Sequence, residues 1–145
     1  MYHFQKQMHK EILVIDDNPD IRLLVSNILK DQNFLVRTSA NYDQAIFEIK
    51  KKLPELAIID IKLDKTDKDG IDILKTITNM SKNIPVIMIS GHATVQIAVE
   101  AIRLGAYEFI EKPFSKEKIL NYVKRAIESS ELKKEKDLIE NKLFQ

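Results

Sequence analysis

The chain has 145 residues, 44% hydrophobic and 31% charged, which fits one domain with a packed interior and a solvated surface and argues against wholesale disorder. Lys and Arg number 23 against 22 Asp and Glu, a net charge of +1, so no global field draws the chain onto nucleic acid or an anionic membrane. The absence of cysteine excludes disulfide scaffolds, thiolate zinc sites and Cys nucleophiles, and the three glycines exclude a Walker A loop or a dinucleotide fingerprint.

Met1 to His9 is polar and lacks the apolar core of a signal peptide. It reads as a flexible extension, with the ordered domain expected to begin close to Met8. Glu11 to Ile15 is a short apolar strand that runs into Asp16-Asp17, and Asn18-Pro19 then offers an N-cap followed by proline at the first helical position. Ile21, Leu24, Val25, Ile28 and Leu29 form the stripe of a helix laid on a core. Phe34 to Thr38 reads as a second strand. Asn41 and Gln44 have capping-box spacing ahead of Ala45, Ile46, Ile49 and Leu53, and Pro54 breaks that helix. Leu56 to Ile59 is a third strand, and it ends in a carboxylate, Asp60.

Lys62 to Asp69 is polar and turn-rich, and helical spacing resumes beyond Gly70 at Ile71, Leu74 and Ile77. Pro85 opens the strand Val86 to Ile89, which ends at Ser90-Gly91. Val95, Ala98, Val99 and Ile102 make another helical stripe, expected to be core. Gly105 suits a helix C-cap, Tyr107 to Ile110 is a strand ending at Glu111-Lys112-Pro113, and Ser115 caps a last helix carrying Ile119, Leu120, Val123 and Ile127. From about Ser129 the chain is charge-rich. Leu132 and Ile139 are one heptad apart, too short a register for a coiled coil, so residues 130–145 read as a helical linker. No apolar run approaches the ~20 residues of a membrane helix, and the expected compartment is the cytoplasm.

Strands alternating with amphipathic helices predict an α/β, doubly wound, five-stranded parallel sheet of flavodoxin-like order 2-1-3-4-5 with an extended C-terminal helix. Ligands of such sheets sit at the carboxyl ends of the strands. There the chain places Asp16 and Asp17 after strand one, Asp60 after strand three, Ser90 after strand four and Lys112 after strand five. Three carboxylates held close repel unless a proton or a cation intervenes. All-oxygen ligation favours Mg²⁺ over Zn²⁺, which would want His or Cys. A phosphoryl group arriving at Asp60 would have its charge spread over the metal, the Lys112 ammonium and the Ser90 hydroxyl, which makes Asp60 the candidate nucleophile.

With Ile15-Asp16-Asp17, Ile59-Asp60-Ile61, Ile89-Ser90-Gly91-His92-Ala93 and Lys112-Pro113-Phe114 in order, the sequence resembles a CheY-like response-regulator receiver domain of two-component signalling across residues 10–129. The resemblance implies Asp60 as phosphoacceptor, Asp16 and Asp17 as the acid pair, Ser90 as switch hydroxyl, Lys112 as phosphate-binding lysine and Phe109 as switch aromatic. It also implies that the main-chain carbonyl of Lys62 completes a Mg²⁺ shell. For Phe109, ordinary strand packing is the competing reading. The loop from Asp60 to Asp69-Gly70 is longer than the common Leu-Pro-x-x-Asp-Gly form and, with Ser-Gly-His-Ala-Thr, resembles the NtrX branch of NtrC-type regulators. In that branch an AAA+ ATPase module and a DNA-binding helix-turn-helix follow the receiver.

The implied partners are a sensor histidine kinase, a second copy in a phosphorylation-dependent homodimer, and those covalently linked output domains, with no nucleic-acid or membrane contact by the receiver itself. Implied too is self-phosphorylation and self-dephosphorylation without turnover of an external substrate. A stand-alone interaction or phosphotransfer module and a degenerate, unphosphorylated receiver are the rival readings. Decoys fail: an EF-hand loop over Asp67-Lys68-Asp69-Gly70 would begin at Lys65 and end at Thr76, lacking its key carboxylates. Asp64-Lys65-Thr66 lacks the glycine of the P-type ATPase motif, and a dehalogenase-type phosphatase needs Asp where Lys62 stands. His92 has no metal-ligating partner nearby in sequence and reads, with Lys62, as a modulator of phosphoryl lifetime.

Overall fold

Apolar runs of four or five residues between polar turns are too short for helices that bury a face, and each becomes a strand. In the computed structural model, which describes residues 10–63, 68–92 and 94–143, the strands are β1 (Glu11–Ile15), β2 (Leu35–Ser39), β3 (Leu56–Asp60), β4 (Val86–Ser90) and β5 (Glu108–Glu111). They alternate with α1 (Pro19–Lys30), α2 (Tyr42–Lys51), α3 (Gly70–Met80), α4 (Val95–Arg103) and α5 (Lys116–Leu143). All neighbouring pairs are parallel and the sheet order is β2-β1-β3-β4-β5, the expected doubly wound arrangement. The extension Met1 to His9, residues 64–67 of the long loop, Ala93 and the last two linker residues lie outside the described residues.

Because strand side chains alternate, the central strands feed two cores. Ile12, Val14, Ile58 and Ile87 pack with α1 and α5, whereas Leu13, Ile15, Ile59 and Met88 pack with α2, α3 and α4. Every residue of β3 and β4 is buried, which brings Asp60 and Ser90 inside as the last residues of their strands.

Several expectations need correction. In α1 the buried positions are Val25, Ser26, Ile28 and Leu29, and Leu24 is largely exposed. α2 ends at Lys51, so Leu53 lies beyond it and is exposed. Gln44 takes the Asn41 cap through its N–H at 2.9 Å, but its own Oε1 accepts from Ala40 N–H rather than from Asn41. The stripe on α4 is not core: Val95, Val99 and Ile102 are exposed and Ala98 is half-buried, because the side that meets the core carries Ala101, the one buried residue of the helix, together with Ile97. The second and fifth strands each begin one residue later than expected. Gly105 does follow the end of α4, with φ of +112°. Ser115 caps α5 by accepting from Lys118 N–H at 3.1 Å.

α5 runs for 28 residues, about 42 Å at 1.5 Å per residue. Its buried residues stop at Ile127, yet polar contacts hold the next turn to the sheet's amino-terminal edge. Ser130 Oγ donates to the Asn83 carbonyl at 2.6 Å, Glu131 pairs with Lys10 at 2.8 Å, and Lys133 Nζ reaches the Lys82 carbonyl at 3.5 Å. Leu132, Leu138, Ile139 and Leu143 are exposed. Among the described residues no helix is long and apolar enough to cross a membrane.

Candidate functional site

The carboxyl edge of the sheet collects the chemistry. Asp16 directly follows β1, where its N–H donates to the Ser39 carbonyl at 3.1 Å and carries the sheet pairing one residue past the strand. Its Oδ1 accepts from Asn18 N–H at 2.9 Å, and its carbonyl accepts from Arg22 Nη1 at 2.7 Å. The acidic corner is thereby tied to β2 and to α1, whose N-terminus Asn18 caps. Asp16 is 2% exposed, Asp60 6% and Ser90 3%, while Asp17 is half-buried.

Lys112 follows β5 and is fixed by its N–H donating to the Ser90 carbonyl at 2.8 Å. Its Nζ donates to Asp16 Oδ2 at 3.1 Å and to Asp60 Oδ2 at 3.2 Å, spanning strand ends that are far apart in sequence. The Lys112–Pro113 peptide is cis. One carboxylate oxygen from each of Asp16, Asp17 and Asp60 lies within 4.8 Å of the others. Ser90 Oγ, on the neighbouring strand, accepts from His92 N–H at 3.2 Å.

These charges perturb each other. Burial raises the Asp60 carboxyl, the charge of Asp16 adds to the rise, and Lys112 opposes both, leaving a pKa of about 6. For Lys112, burial disfavours the ammonium. The hydrogen bond to Asp16 and the charges of Asp60 and Asp16 together outweigh it, and the pKa ends above the ordinary lysine value. Among the described residues the cluster gathers three carboxylates, with the Lys112 ammonium bonded to two of them, so its candidate metal ligands are all oxygens. That donor set fits a hard divalent cation such as Mg²⁺ and does not fit Zn²⁺.

Of the sequence-predicted residues, the fold brings Asp16, Asp17, Asp60 and Lys112 into one cluster, with Ser90 beside it. Phe109 is half-buried and packs against the α2–α3–α4 core. The side chains of Lys62 and His92 are exposed. Arg22 was not anticipated: a cation on the helix after an acidic pair was the available signal, but its target is a main-chain carbonyl.

A five-stranded parallel sheet in this order, with an acidic corner, a hydroxyl and a lysine at its carboxyl edge, defines the CheY-like receiver fold. The chain belongs to the response regulator receiver domain family, which matches residues 12–124. It is similar to the nitrogen assimilation regulatory protein NtrX of Azorhizobium caulinodans, at 41% identity over 88% of this chain and 28% of that protein. The crystal structure of NtrX from Brucella abortus superposes with a TM-score of 0.84 at 43% identity, covering 89% of this chain and 30% of that one. The beryllofluoride-activated NtrC4 receiver domain dimer superposes with a TM-score of 0.77 at 36% identity, covering 83% and 98%. The chain thus spans less than a third of the length of the NtrX proteins it matches, and it is a receiver domain of the kind found in NtrX- and NtrC-type regulators.

Proposed function

We propose that this domain takes a phosphoryl group from the phosphohistidine of a sensor histidine kinase onto Asp60. A carboxylate oxygen of Asp60 attacks phosphorus, the N–P bond breaks, and the electron pair leaves with the imidazole of the kinase, giving an acyl phosphate. Asp16, Asp17, Asp60 and the main-chain carbonyl of Lys62 would hold Mg²⁺, which when bound neutralises charge on the transferring phosphoryl oxygens. The Lys112 ammonium, already bonded to Asp60, pairs with a phosphoryl oxygen, and the Ser90 hydroxyl donates to another. Asp16, through its own hydrogen bond to the ammonium, helps to orient Lys112. Water later hydrolyses the acyl phosphate, so the domain modifies itself and turns over no external substrate.

The bound phosphoryl draws Ser90 inward, Phe109 follows, and the α4–β5–α5 face changes. That change biases homodimer formation, a reading supported by the dimeric NtrC4 receiver among similar structures. Through α5, the receiver at residues 10–129 would govern AAA+ and DNA-binding modules of a longer cytoplasmic transcription regulator, as its likeness to NtrX supports.

The observation that carries this proposal is the Lys112 ammonium shared between Asp16 and Asp60 beside a third carboxylate. Incubation with Mg²⁺ and a small phosphodonor, followed by intact mass, tests it. One phosphate adduct is expected on the wild type and none on Asp60→Asn or after chelation. An equal adduct on Asp60→Asn contradicts it.

A further inference from the structure

We propose that Gly70 is a positioning residue for the phosphoacceptor, a role that rests on the phosphoacceptor reading of Asp60. Gly70 is the first residue of α3 and is buried. Its N–H donates to the Ile61 carbonyl at 2.8 Å, so the helix start is bonded to the chain just past Asp60. A Cβ built on Gly70 would collide with the Asp60 carbonyl oxygen and would stand 2.9 Å from both the Asp60 carbonyl carbon and Ile61 Cα. All three obstacles are main chain, so none can rotate aside.

The demand at Gly70 is for space. Among the described residues the one glycine with positive φ is Gly105, so Gly70 is not required for its backbone angles. Neither side of the contact yields easily. α3 is anchored by Ile73, Leu74 and Ile77, all buried, and its start is closed by a reciprocal cap. In that cap Asp69 Oδ1 accepts from Asp72 N–H at 3.4 Å as well as from Ile71 N–H at 3.0 Å, and Asp69 N–H donates to Asp72 Oδ2 at 2.9 Å. On the other side, β3 is paired with β1 and β4.

An added methyl therefore pushes the Asp60 main chain and with it the carboxylate that Lys112 holds at 3.2 Å. Shifts of this size at a metal-binding carboxylate are expensive, because ligand orientation is set by what stands behind it. The bare α-carbon of Gly70 lets α3 act as the backstop that sets where Asp60 stands.

The test compares Gly70→Ala with Gly105→Ala in the 145-residue chain. Gly105→Ala forces a side chain onto a positive φ, far from the acidic cluster, and serves as the measure of simple destabilisation. Mg²⁺ affinity by calorimetry and the initial rate of phosphate adduct formation at saturating Mg²⁺ are read beside the melting temperature. Gly70→Ala is expected to weaken Mg²⁺ binding about 10- to 100-fold and to slow adduct formation even at saturation. Gly105→Ala is expected to lower the melting temperature with both quantities unchanged.

Should Gly70→Ala fail to fold, Asp72→Ala opens the cap without adding an atom, and Asp72→Asn retains the acceptor. The alanine variant is then expected to slow adduct formation and the asparagine variant to restore it. Wild-type Mg²⁺ affinity and adduct rate in Gly70→Ala, or in Asp72→Ala where the first does not fold, overturn the proposal while the phosphoacceptor reading stands. No adduct on the wild type removes that reading, and this proposal falls with it.

Discussion

α3 and α4 lie on the same face of the sheet and show similar amphipathic stripes in sequence, yet the fold treats them differently. α3 buries Gly70, Ile73, Leu74 and Ile77 and abuts the strand end that carries Asp60. α4, which follows Ser90, buries Ala101 alone, leaving Val95 80% and Val99 60% exposed. The end of the molecule that would receive phosphorus is backed by a committed core helix, whereas the helix that would report it is lightly held. Local stability follows buried apolar contact, so the first is expected to be preformed and the second free to shift.

The largest effect that sharpens this contrast is on global stability. Leu74→Ala should cost about 2–5 kcal/mol in urea unfolding, as a buried large-to-small change does. Val99→Ala should stay within about 0.5 kcal/mol, as exposed changes do. Similar losses for both would erase the distinction.

Next is the pH dependence of the acidic edge. The Asp60 carboxyl titrates at about 6 in the folded chain against 3.8 when unperturbed. Across that interval the folded state holds a proton that the unfolded state has released, so metal-free stability falls as pH rises from about 4 to about 6. Asp60→Asn removes this loss. Its melting temperature should rise relative to wild type through that window, with the difference level above it. Adding Mg²⁺ should raise the wild-type melting temperature and leave Asp60→Asn nearly unmoved.

A smaller change is expected from Lys112→Ala, which deletes the ammonium that, among the described residues, is bonded to both Asp16 and Asp60. With less positive charge beside the carboxylates, Mg²⁺ should bind several-fold tighter, while adduct formation slows because a phosphoryl partner is gone. Tighter binding without slowing would remove Lys112 from the transfer step.

The smallest effect concerns the far edge of the sheet. Ser130→Ala breaks the bond to the Asn83 carbonyl and should cost about 1 kcal/mol or less. It should lower hydrogen-exchange protection in residues 130–143 and leave Mg²⁺ affinity untouched.

Much of the site was legible because each reactive group ends an apolar run: Asp16-Asp17, Asp60, Ser90 and Lys112 each stand at or just beyond a strand's carboxyl end. Parallel topology does the rest by gathering those ends on one edge. What stayed hidden depends on docking. The pattern of α4 declares two faces but not which one meets the core, and the side with Ile97 and Ala101 does. On α1 Leu24 belongs to the apolar stripe yet is exposed, while Ser26, a polar residue outside the stripe, is buried. Arg22 lies six residues after Asp16, yet only the packed helix shows its guanidinium on the Asp16 carbonyl. Gly70 reads as the end of a polar loop until α3 is set against Asp60.

The most direct measurement is to locate the phosphoryl group. Protein treated with Mg²⁺ and a small phosphodonor is reduced with borohydride, which converts an aspartyl phosphate to homoserine, then digested and sequenced by mass spectrometry. Homoserine at position 60 alone is the expected result. Label at Asp16 or Asp17, or phosphate retained on Ser90 or His92 with Asp60 unmodified, would contradict it.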